Sequence, residues 1–391
     1  MSGARLSVAF IPLVDAAPFI VADEMGFARE EALELDLVRA PSWSTVRDML
    51  AYGRVEAAHM LSPVPVAMAL GIGGVASAIS ALMVTSVNGN VVGVSEGMAA
   101  RLRDQGYDFS FTDATTAGKA LVAAAEGRLT IGVPFPFSMH AELLFYWLSA
   151  TGLPAPQGID IKTVPPPLMA DAMAAGEIDA FCVGEPWGSI TVENGAGSLL
   201  LPGNAIWSFA PEKVLAVRTG WAEEEPELMA RLMRAVWKAG RWLAEGGAQT
   251  TAAEVLARKE YLDLPTEIID RALTGRMTIS PRGEVRECPS FIEFFDGAAT
   301  FPWKSQAVWI AAQMAARLGL DRDTAMEAAR GVFRTELYRR HLRDAGAVLP
   351  GASEKTEGGI AQGTAVASET GRLILCKNEF FNGRIFDPQT E

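Results

Sequence analysis

The sequence contains few of the residues that build disulfide frameworks, zinc sites and histidine-based catalytic centres. Its 391 residues include three cysteines and three histidines, and no Cys-x-x-Cys pair occurs. We therefore expect no disulfide scaffold and no zinc site. The motifs GxxxxGK(S/T), GxGxxG, GxSxG and HExxH, which mark nucleotide-binding, hydrolase and zinc-protease sites, are absent as well. These absences predict a protein that is not an enzyme and that carries no cofactor or metal.

An excess of positive charge is also missing. The chain has 34 Lys and Arg against 47 Asp and Glu, which gives a net charge of −13 at pH 7. A general nucleic-acid surface needs clustered Lys and Arg, so we expect no direct contact with nucleic acid. A local anion site remains compatible with this balance, because such a site needs only a few donors.

Long uninterrupted hydrophobic runs are lacking too. Residues 57–95 contain no Asp, Glu, Lys or Arg. An uncharged stretch of this length could in principle form a transmembrane helix. Pro63, Gly73 and Gly89 interrupt this stretch, and its Val91–Val94 portion has the composition of a strand. The stretch therefore predicts the buried interior of an α/β layer and no membrane segment.

The N-terminus shows no secretory leader. Met1–Arg5 leads directly into Leu6–Ile11, which we predict to be the first strand, so a leader has no room. Three cysteines without a framework also suit a reducing compartment. We expect a cytoplasmic protein.

One short phrase occurs twice. Ala51–His59 has the same pattern as Ala174–Cys182: an apolar helix ends at a glycine and a short buried strand follows. A proline follows each copy at the same distance. The copies are too far apart for a solenoid repeat of ~20–50 residues. They favour two similar α/β lobes with a ligand-binding cleft between them, although a generic helix–glycine–strand pattern would also explain so short a match.

The first half of the chain alternates strand-like and helix-like runs, which is typical of a mostly parallel sheet covered by helices. The predicted strands are 6–11, 33–38, 55–59, 77–84, 90–95, 129–133, 159–164, 178–183 and 213–217. Long helices are expected from Pro226 and from Pro302. We predict that residues 1–90 begin lobe 1, 91–212 form lobe 2, 213–349 return to lobe 1 as a mainly helical part, and 350–391 form a linker and a docked C-terminal tail.

Hydrogen-bond donors are predicted at the ends of several strands and helices, where a small anion could be bound. His140 would lie in the first turn of a helix, whose free N–H groups favour an anion. Glu185 is the carboxylate that we place in the cleft, and Lys213 begins the strand that returns to lobe 1. The candidate ligand-binding residues are Trp43, His59, Asn90, His140, Gly184, Glu185 and Lys213.

Each candidate also has an ordinary structural explanation when it is taken alone. Trp43 before a helix is most often a packing residue, His59 on an apolar strand is typical of a core histidine, and Lys213 is typical of a solvated surface. Their convergence is the stronger argument. Indole, imidazole, amide and ammonium donors together suit a small oxyanion, which cannot be buried without hydrogen-bond partners.

These residues resemble the nitrate/nitrite- and bicarbonate-binding branch of the solute-binding proteins of ABC transporters. The phrases that carry the resemblance span almost the whole chain. They are Asp15-Ala16-Ala17-Pro18, Ala40-Pro41-Ser42-Trp43-Ser44-Thr45-Val46-Arg47-Asp48, Ala58-His59-Met60-Leu61-Ser62-Pro63, Phe181-Cys182-Val183-Gly184-Glu185-Pro186-Trp187, Phe301-Pro302-Trp303-Lys304-Ser305 and Cys376-Lys377-Asn378-Glu379-Phe380-Phe381-Asn382-Gly383-Arg384.

The resemblance implies a two-lobed, type II periplasmic-binding-protein-like fold. It also implies that Trp43, His140 and Lys213 occupy ligand-binding positions. Asn90 stands where nitrate binders of the branch often carry glutamine, which keeps the amide but alters its reach. Lys213 favours nitrate or nitrite, because the bicarbonate binders tend to be acidic at that position and use a metal.

The missing leader makes the chain look most like the cytoplasmic nitrate/nitrite sensor of the branch (NasS-like). That resemblance implies a partner, an RNA-binding antiterminator response regulator (NasT-like), which is released when the anion binds. One alternative is the solute-binding component of a nitrate/nitrite or bicarbonate ABC transporter whose start codon was mis-assigned. Another is an enzyme on the same fold, such as a pyrimidine-precursor synthase of thiamine biosynthesis, although the expected cysteine-rich iron site and cofactor lysine are not evident.

Overall fold

The chain forms two α/β lobes, each built on its own mixed sheet. The computed structural model describes residues 3–389. The strands, numbered in chain order, are β1 (Ala4–Phe10), β2 (Leu33–Arg39), β3 (Ala57–Leu61), β4 (Ile79–Asn88), β5 (Asn90–Ser95), β6 (Leu129–Val133), β7 (Ile159–Thr163), β8 (Ala180–Gly184), β9 (Gly197–Pro202), β10 (Pro211–Arg218), β11 (Arg276–Thr278), β12 (Val285–Glu287), β13 (Ile292–Glu293), β14 (Thr364–Val366) and β15 (Leu373–Leu375).

Helices cover both faces of the two sheets. They are α1 (Ala17–Glu24), α2 (Phe27–Glu30), α3 (Trp43–Ala51), α4 (Pro63–Ala69), α5 (Glu96–Asp104), α6 (Ala114–Ala124), α7 (Met139–Ala150), α8 (Met169–Ala174), α9 (Trp187–Glu193), α10 (Thr219–Glu224), α11 (Pro226–Leu243), α12 (Ala248–Leu256), α13 (Thr266–Thr274), α14 (Lys304–Leu318), α15 (Arg322–Arg330) and α16 (Thr335–Leu342). A 3-10 helix, Val14–Ala16, lies between β1 and α1.

The sheet of lobe 1 has the order β13-β4-β10-β3-β1-β2, and that of lobe 2 has the order β7-β6-β8-β5-β9. The expectation of mostly parallel sheets is wrong. β1, β2 and β3 are parallel, as are β6, β7 and β8, whereas β4, β5, β9 and β10 pair antiparallel to their neighbours. The antiparallel strands are those next to the two crossings between the lobes, where the chain enters each sheet from the opposite end.

The chain crosses between the lobes twice. The first crossing is at Gly89, whose φ of +93° suits glycine and which separates β4 from β5. The second crossing is the segment 203–210 between β9 and β10. The β11–β12 hairpin also joins the lobes, because the Leu199 N–H donates to the Ile279 carbonyl at 2.7 Å and Arg103 pairs with Glu284.

The repeated phrase folds in the same way in each lobe. Gly53 and Gly176 both have φ of +69°, and each is followed four residues later by the first residue of β3 or β8. Glu56 accepts a hydrogen bond from the Ser7 N–H of β1 at 2.8 Å, and Asp179 accepts one from the Thr130 N–H of β6 at 2.8 Å. The phrase thus ties each strand to its parallel neighbour, so it reflects two related lobes.

The apolar end of the chain docks on the body, as the sequence predicts. Phe380 stacks on Trp309 of α14 with an interplanar angle of 22°, and its ring also contacts Trp207 and Tyr146. The Phe381 N–H donates to the Ile206 carbonyl at 2.9 Å. The tail therefore touches lobe 1, lobe 2 and the second crossing at once.

The segment predicted as a linker, 350–371, contains β14, which pairs with β15. It also contains the buried Glu357, which accepts a hydrogen bond from Ser305 on α14 at 2.7 Å. The uncharged stretch 57–95 forms β3, α4, β4 and β5 inside the lobes. Of the helices within residues 3–389, none combines the length and apolar character that a membrane crossing needs.

Candidate functional site

Six of the predicted site residues meet between the lobes, and most of them lie at or near the ends of strands and helices. Trp43 is the first residue of α3, which Ser42 caps by accepting from the Thr45 N–H at 3.2 Å. His140 is in the first turn of α7, where Ser138 makes the same kind of cap. Asn90 begins β5 and is paired in register with Gly184, the last residue of β8.

Lys213 lies at the centre of this region and is fully buried. Its Nζ donates to Asp15 Oδ2 at 2.5 Å and to Glu212 Oε1 at 3.0 Å. The ammonium group also lies 5.4 Å from the centre of the Trp43 ring. A buried ammonium is tolerated only when carboxylates or other acceptors surround it, and here two carboxylates do so.

The two carboxylates join the remaining polar side chains. His59 Nε2 lies 3.0 Å from Asp15 Oδ1, and His140 Nδ1 lies 3.3 Å from Glu212 Oε1. Asn90 Nδ2 donates to Glu212 Oε2 at 2.7 Å. Together these groups form what we call the polar cluster: Asp15, Trp43, His59, Asn90, His140, Glu212 and Lys213. Lobe 2 contributes Asn90 and His140, and lobe 1 contributes the others.

Several donors of the polar cluster have no hydrogen-bond partner among residues 3–389. They are the Trp43 indole Nε1 and the ring nitrogens of His59 and His140, of which His59 Nε2 and His140 Nδ1 have only the carboxylate contacts given above. All three side chains are almost completely buried. A Cβ added to Gly184 would lie 3.6 Å from His140 Nε2 and 3.7 Å from Asp15 Oδ2, so this glycine gives close backbone access to the cluster.

The charges of the polar cluster follow from burial and pairing. Burial opposes ionisation of Asp15, but Lys213 and His59 outweigh it and lower its pKa to about 2. Burial raises the pKa of Glu212 to about 7, against the attraction of Lys213. Burial also lowers the pKa of His59, and burial together with Lys213 holds that of His140 well below its usual range. Although burial opposes it, the pKa of Lys213 is raised by Asp15 and Glu212.

The carboxylate of Glu185 does not join the cluster, contrary to the expectation from the sequence. Its Oε2 accepts from the Ser189 N–H of the following helix at 3.1 Å, because the side chain folds back on α9. Burial raises the pKa of this carboxyl to about 7. The main chain of Glu185 does have a local role, since its carbonyl accepts from the Val14 N–H at 2.9 Å, beside Asp15.

Sequence reasoning missed Asp15 and Glu212, the two carboxylates that do face Lys213. Asp15 stands in a phrase that the family resemblance already covers, but nothing local marks it as a partner of a residue so distant in the chain. Glu212 is adjacent to Lys213, and adjacent strand residues normally point to opposite faces. The pairing of β10 with β4 is irregular between Pro211 and Lys213, and this irregularity lets both side chains meet.

A separate cavity of about 820 Å³ lies on the tail side of the crossings, lined in part by Asn88, Cys288, Ser208 and Glu379. It contains none of the residues of the polar cluster. Within residues 3–389, no group of His, Cys, Asp and Glu side chains has an arrangement that could hold a metal ion.

Residues 2–257 match the sequence profile of the NMT1-like family. The chain belongs to this family. It is 30% identical over 311 residues to the nitrate/nitrite binding protein NrtA of Nostoc sp., covering 78% of this chain and 69% of that protein. It is 32% identical over 313 residues to the nitrate import ATP-binding protein NrtC of Synechocystis sp., covering 80% of this chain. The chain spans 46% of the length of NrtC, so it corresponds to about half of that protein.

The structural comparison agrees with the sequence comparison. The crystal structure of the periplasmic nitrate-binding protein NrtA from Synechocystis superposes with a TM-score of 0.84 and 25% identity, covering 99% of this chain and 96% of that one. The predicted fold class, an α/β two-lobed periplasmic-binding-protein-like fold with a helical C-terminal part and a docked tail, is thereby confirmed. These relatives are named for binding and import.

Proposed function

We propose that the chain is a solute-binding protein that holds nitrate or nitrite in the polar cluster. The observation that carries this proposal is the buried Lys213 between two lobes, beside the unpartnered donors Trp43 Nε1 and His140 Nε2. A planar oxyanion offers acceptors to both donors and to the ammonium group. The similarity to the nitrate/nitrite binding protein NrtA supports the choice of anion.

Binding in this site requires both lobes. His140 and Asn90 approach from lobe 2, while Lys213 and Trp43 approach from lobe 1, so the donor set is complete only when the lobes are closed. An anion that binds the closed form better than an open form shifts the population towards closure. A Kd of ~1 μM corresponds to about −8.2 kcal/mol, which is enough to drive such a change.

The role that the relatives support best is the anion-binding component of an ABC importer. NrtA and NrtC are named for nitrate binding and nitrate import, and the similarity to each covers 78–80% of this chain. The cytoplasmic sensor is our second candidate, and it depends on the resemblance described above. In that role the anion would release an antiterminator partner (NasT-like), and the protein would act in the cytoplasm.

Thermal unfolding with added anions tests the binding proposal. Nitrate, nitrite, bicarbonate and chloride are added in turn, and a specific ligand at ~100 times its Kd stabilises the fold by about 2.7 kcal/mol. We expect a rise in Tm with nitrate or nitrite and none with chloride. A rise with bicarbonate alone would reassign the ligand, and the absence of any rise would contradict the proposal.

A pull-down separates the two roles. The purified chain is incubated with a NasT-like antiterminator from the same genome and, separately, with the membrane subunits of a nitrate importer. Capture of the antiterminator without nitrate and its loss with nitrate would support the sensor. Capture by the importer subunits, enhanced by nitrate, would support the transport role.

A further inference from the structure

Glu212 is the point at which the two lobes share one carboxyl group. Its Oε2 accepts from Asn90 on β5, its Oε1 lies 3.3 Å from His140 Nδ1 on α7, and the same oxygen accepts from Lys213 on its own strand. The charged and titratable groups that face it also include Asp15, from the 3-10 helix, and Cys182, from β8. Glu212 is fully buried, so water does not screen these contacts.

The protonation state of Glu212 decides what His140 presents at Nε2. A neutral imidazole has one N–H and one lone pair. If Glu212 is ionised, its negative charge, 3.3 Å from Nδ1, favours the proton on Nδ1, and Nε2 becomes an acceptor that repels an anion. If Glu212 is protonated, that electrostatic preference disappears, and Nε2 is free to carry the N–H that an anion needs. If the added proton instead binds His140 and makes it an imidazolium beside ionised Glu212, Nε2 also carries an N–H.

The net charge of the polar cluster also favours uptake of a proton with the anion. With Glu212 and Asp15 ionised, Lys213 charged and both histidines neutral, the polar cluster carries one net negative charge, which opposes entry of an anion. One added proton makes the cluster neutral before the anion enters. Nitrate and nitrite have only acceptor atoms and need the donor at Nε2, whereas bicarbonate carries its own O–H and can donate to an Nε2 lone pair.

We propose that Glu212 is a positioning and specificity residue, which makes nitrate or nitrite bind together with one proton held by the Glu212–His140 pair. The proton comes from solvent, forms a bond to Glu212 Oε1 or to His140, and leaves when the anion leaves. This inference rests on the proposed function, because it concerns the same site. It is consistent with burial raising the pKa of Glu212 to about 7, where the proton is exchanged at ordinary pH.

Isothermal titration with nitrate tests the inference in the unmodified protein. Titrations are run at pH 6 in MES and in bis-Tris, and at pH 8.5 in bicine and in Tris; the different ionisation enthalpies of the two buffers at each pH report the number of protons taken up. We expect almost no uptake at pH 6, uptake of about one proton at pH 8.5, and affinity that falls about tenfold per pH unit above the pKa of Glu212. Nitrate binding with the same enthalpy in both buffers at pH 8.5 would overturn the inference and leave the proposed function intact. No nitrate binding at either pH would overturn both.

Two variants identify the proton acceptor. Glu185 is the rival, because its pKa is also raised to about 7 while its carboxylate faces α9 and not the polar cluster. We expect Glu185→Gln to keep the proton uptake and Glu212→Gln to lose it together with the fall in affinity between pH 7 and 8.5. Loss of uptake in Glu185→Gln would overturn the assignment to Glu212. The titration of the unmodified protein decides the proton uptake even if Glu212→Gln folds poorly.

Discussion

Arg317 on α14 holds Glu142 on α7 through two hydrogen bonds, of 2.7 Å and 2.5 Å, across the boundary between the lobes. Glu142 is fully buried and lies two residues after His140 in the same helix. The first turns of α7 therefore serve two purposes. The His140 side chain enters the polar cluster, and the Glu142 side chain anchors the helix to lobe 1. Closure of the lobes and placement of His140 are thus mechanically linked.

Removing this anchor should weaken both the fold and anion binding. Arg317→Ala leaves the Glu142 carboxylate buried without its partner, and breaking a buried pair in this way costs about 3–5 kcal/mol. We expect a lower free energy of unfolding in urea and a higher Kd for nitrate. Arg231→Ala, which breaks the exposed pair with Glu227, is the matched control and should change stability by less than about 1 kcal/mol. Equal effects of the two variants would contradict the anchor.

Lys213→Met should abolish nitrate binding. The substitution keeps the length of the side chain and removes the only lysine ammonium in the polar cluster, so the anion would face Asp15 and Glu212 without a cation. Titration calorimetry measures the loss directly. Lys238→Met, which removes a half-buried lysine paired with Glu30 and Glu31 instead, should bind nitrate as the unmodified protein does. Unchanged affinity in Lys213→Met would exclude the polar cluster as the binding site.

Glu185→Gln should make the protein more stable, and increasingly so as the pH rises. The pKa of this buried carboxyl is raised from 4.5 to about 7, so the folded state binds a proton that the unfolded state releases between these values. Its contribution is fully present below pH 4.5 and is lost as the pH rises through 7. The variant should therefore match the unmodified protein near pH 4.5 and exceed it by about 3 kcal/mol at pH 8. Urea unfolding at both pH values measures the difference, and a pH-independent effect would contradict the explanation.

Phe380→Ala should undock the C-terminal tail. The ring is buried against Trp207, Trp309 and Tyr146, and truncation of such a side chain costs about 3–5 kcal/mol. Ile385→Ala, at a tail residue that is 57% exposed, should change the free energy of unfolding by no more than about 0.5 kcal/mol. Limited proteolysis should also cut the tail faster in Phe380→Ala, and a rate equal to that of Ile385→Ala would contradict this docking.

The sequence was sufficient for the elements whose signals are local. The predicted strand 129–133 coincides with Leu129–Val133, and Ser138 caps α7 where the pattern placed a helix start. The strands β9 and β13 escaped detection because their partners, β5 and β4, lie far along the chain, and β11 and β12 escaped it because each is only three residues long. Leu199, for example, pairs with Ile279 on the hairpin.

The candidate site was predictable only in part, for a physical reason. Trp43, His140 and Lys213 could be chosen because each is a donor at the end of an element. Asp15 and Glu212 could not, because acceptors opposite a buried lysine are defined by packing across the lobes and by the irregular pairing at the start of β10. Glu185 was misplaced, since the sequence does not show that its side chain accepts from the helix that follows it.

Two tryptophans that the tail covers lie close enough to give a circular-dichroism signal. The rings of Trp207, on the second crossing, and Trp309, on α14, have centroids 4.8 Å apart at an angle of 50°. Indoles this close couple electronically, so their near-ultraviolet circular dichroism depends on the angle between them. Any rotation of the crossing against lobe 1 changes that spectrum, and lobe motion can be followed in solution without an attached label.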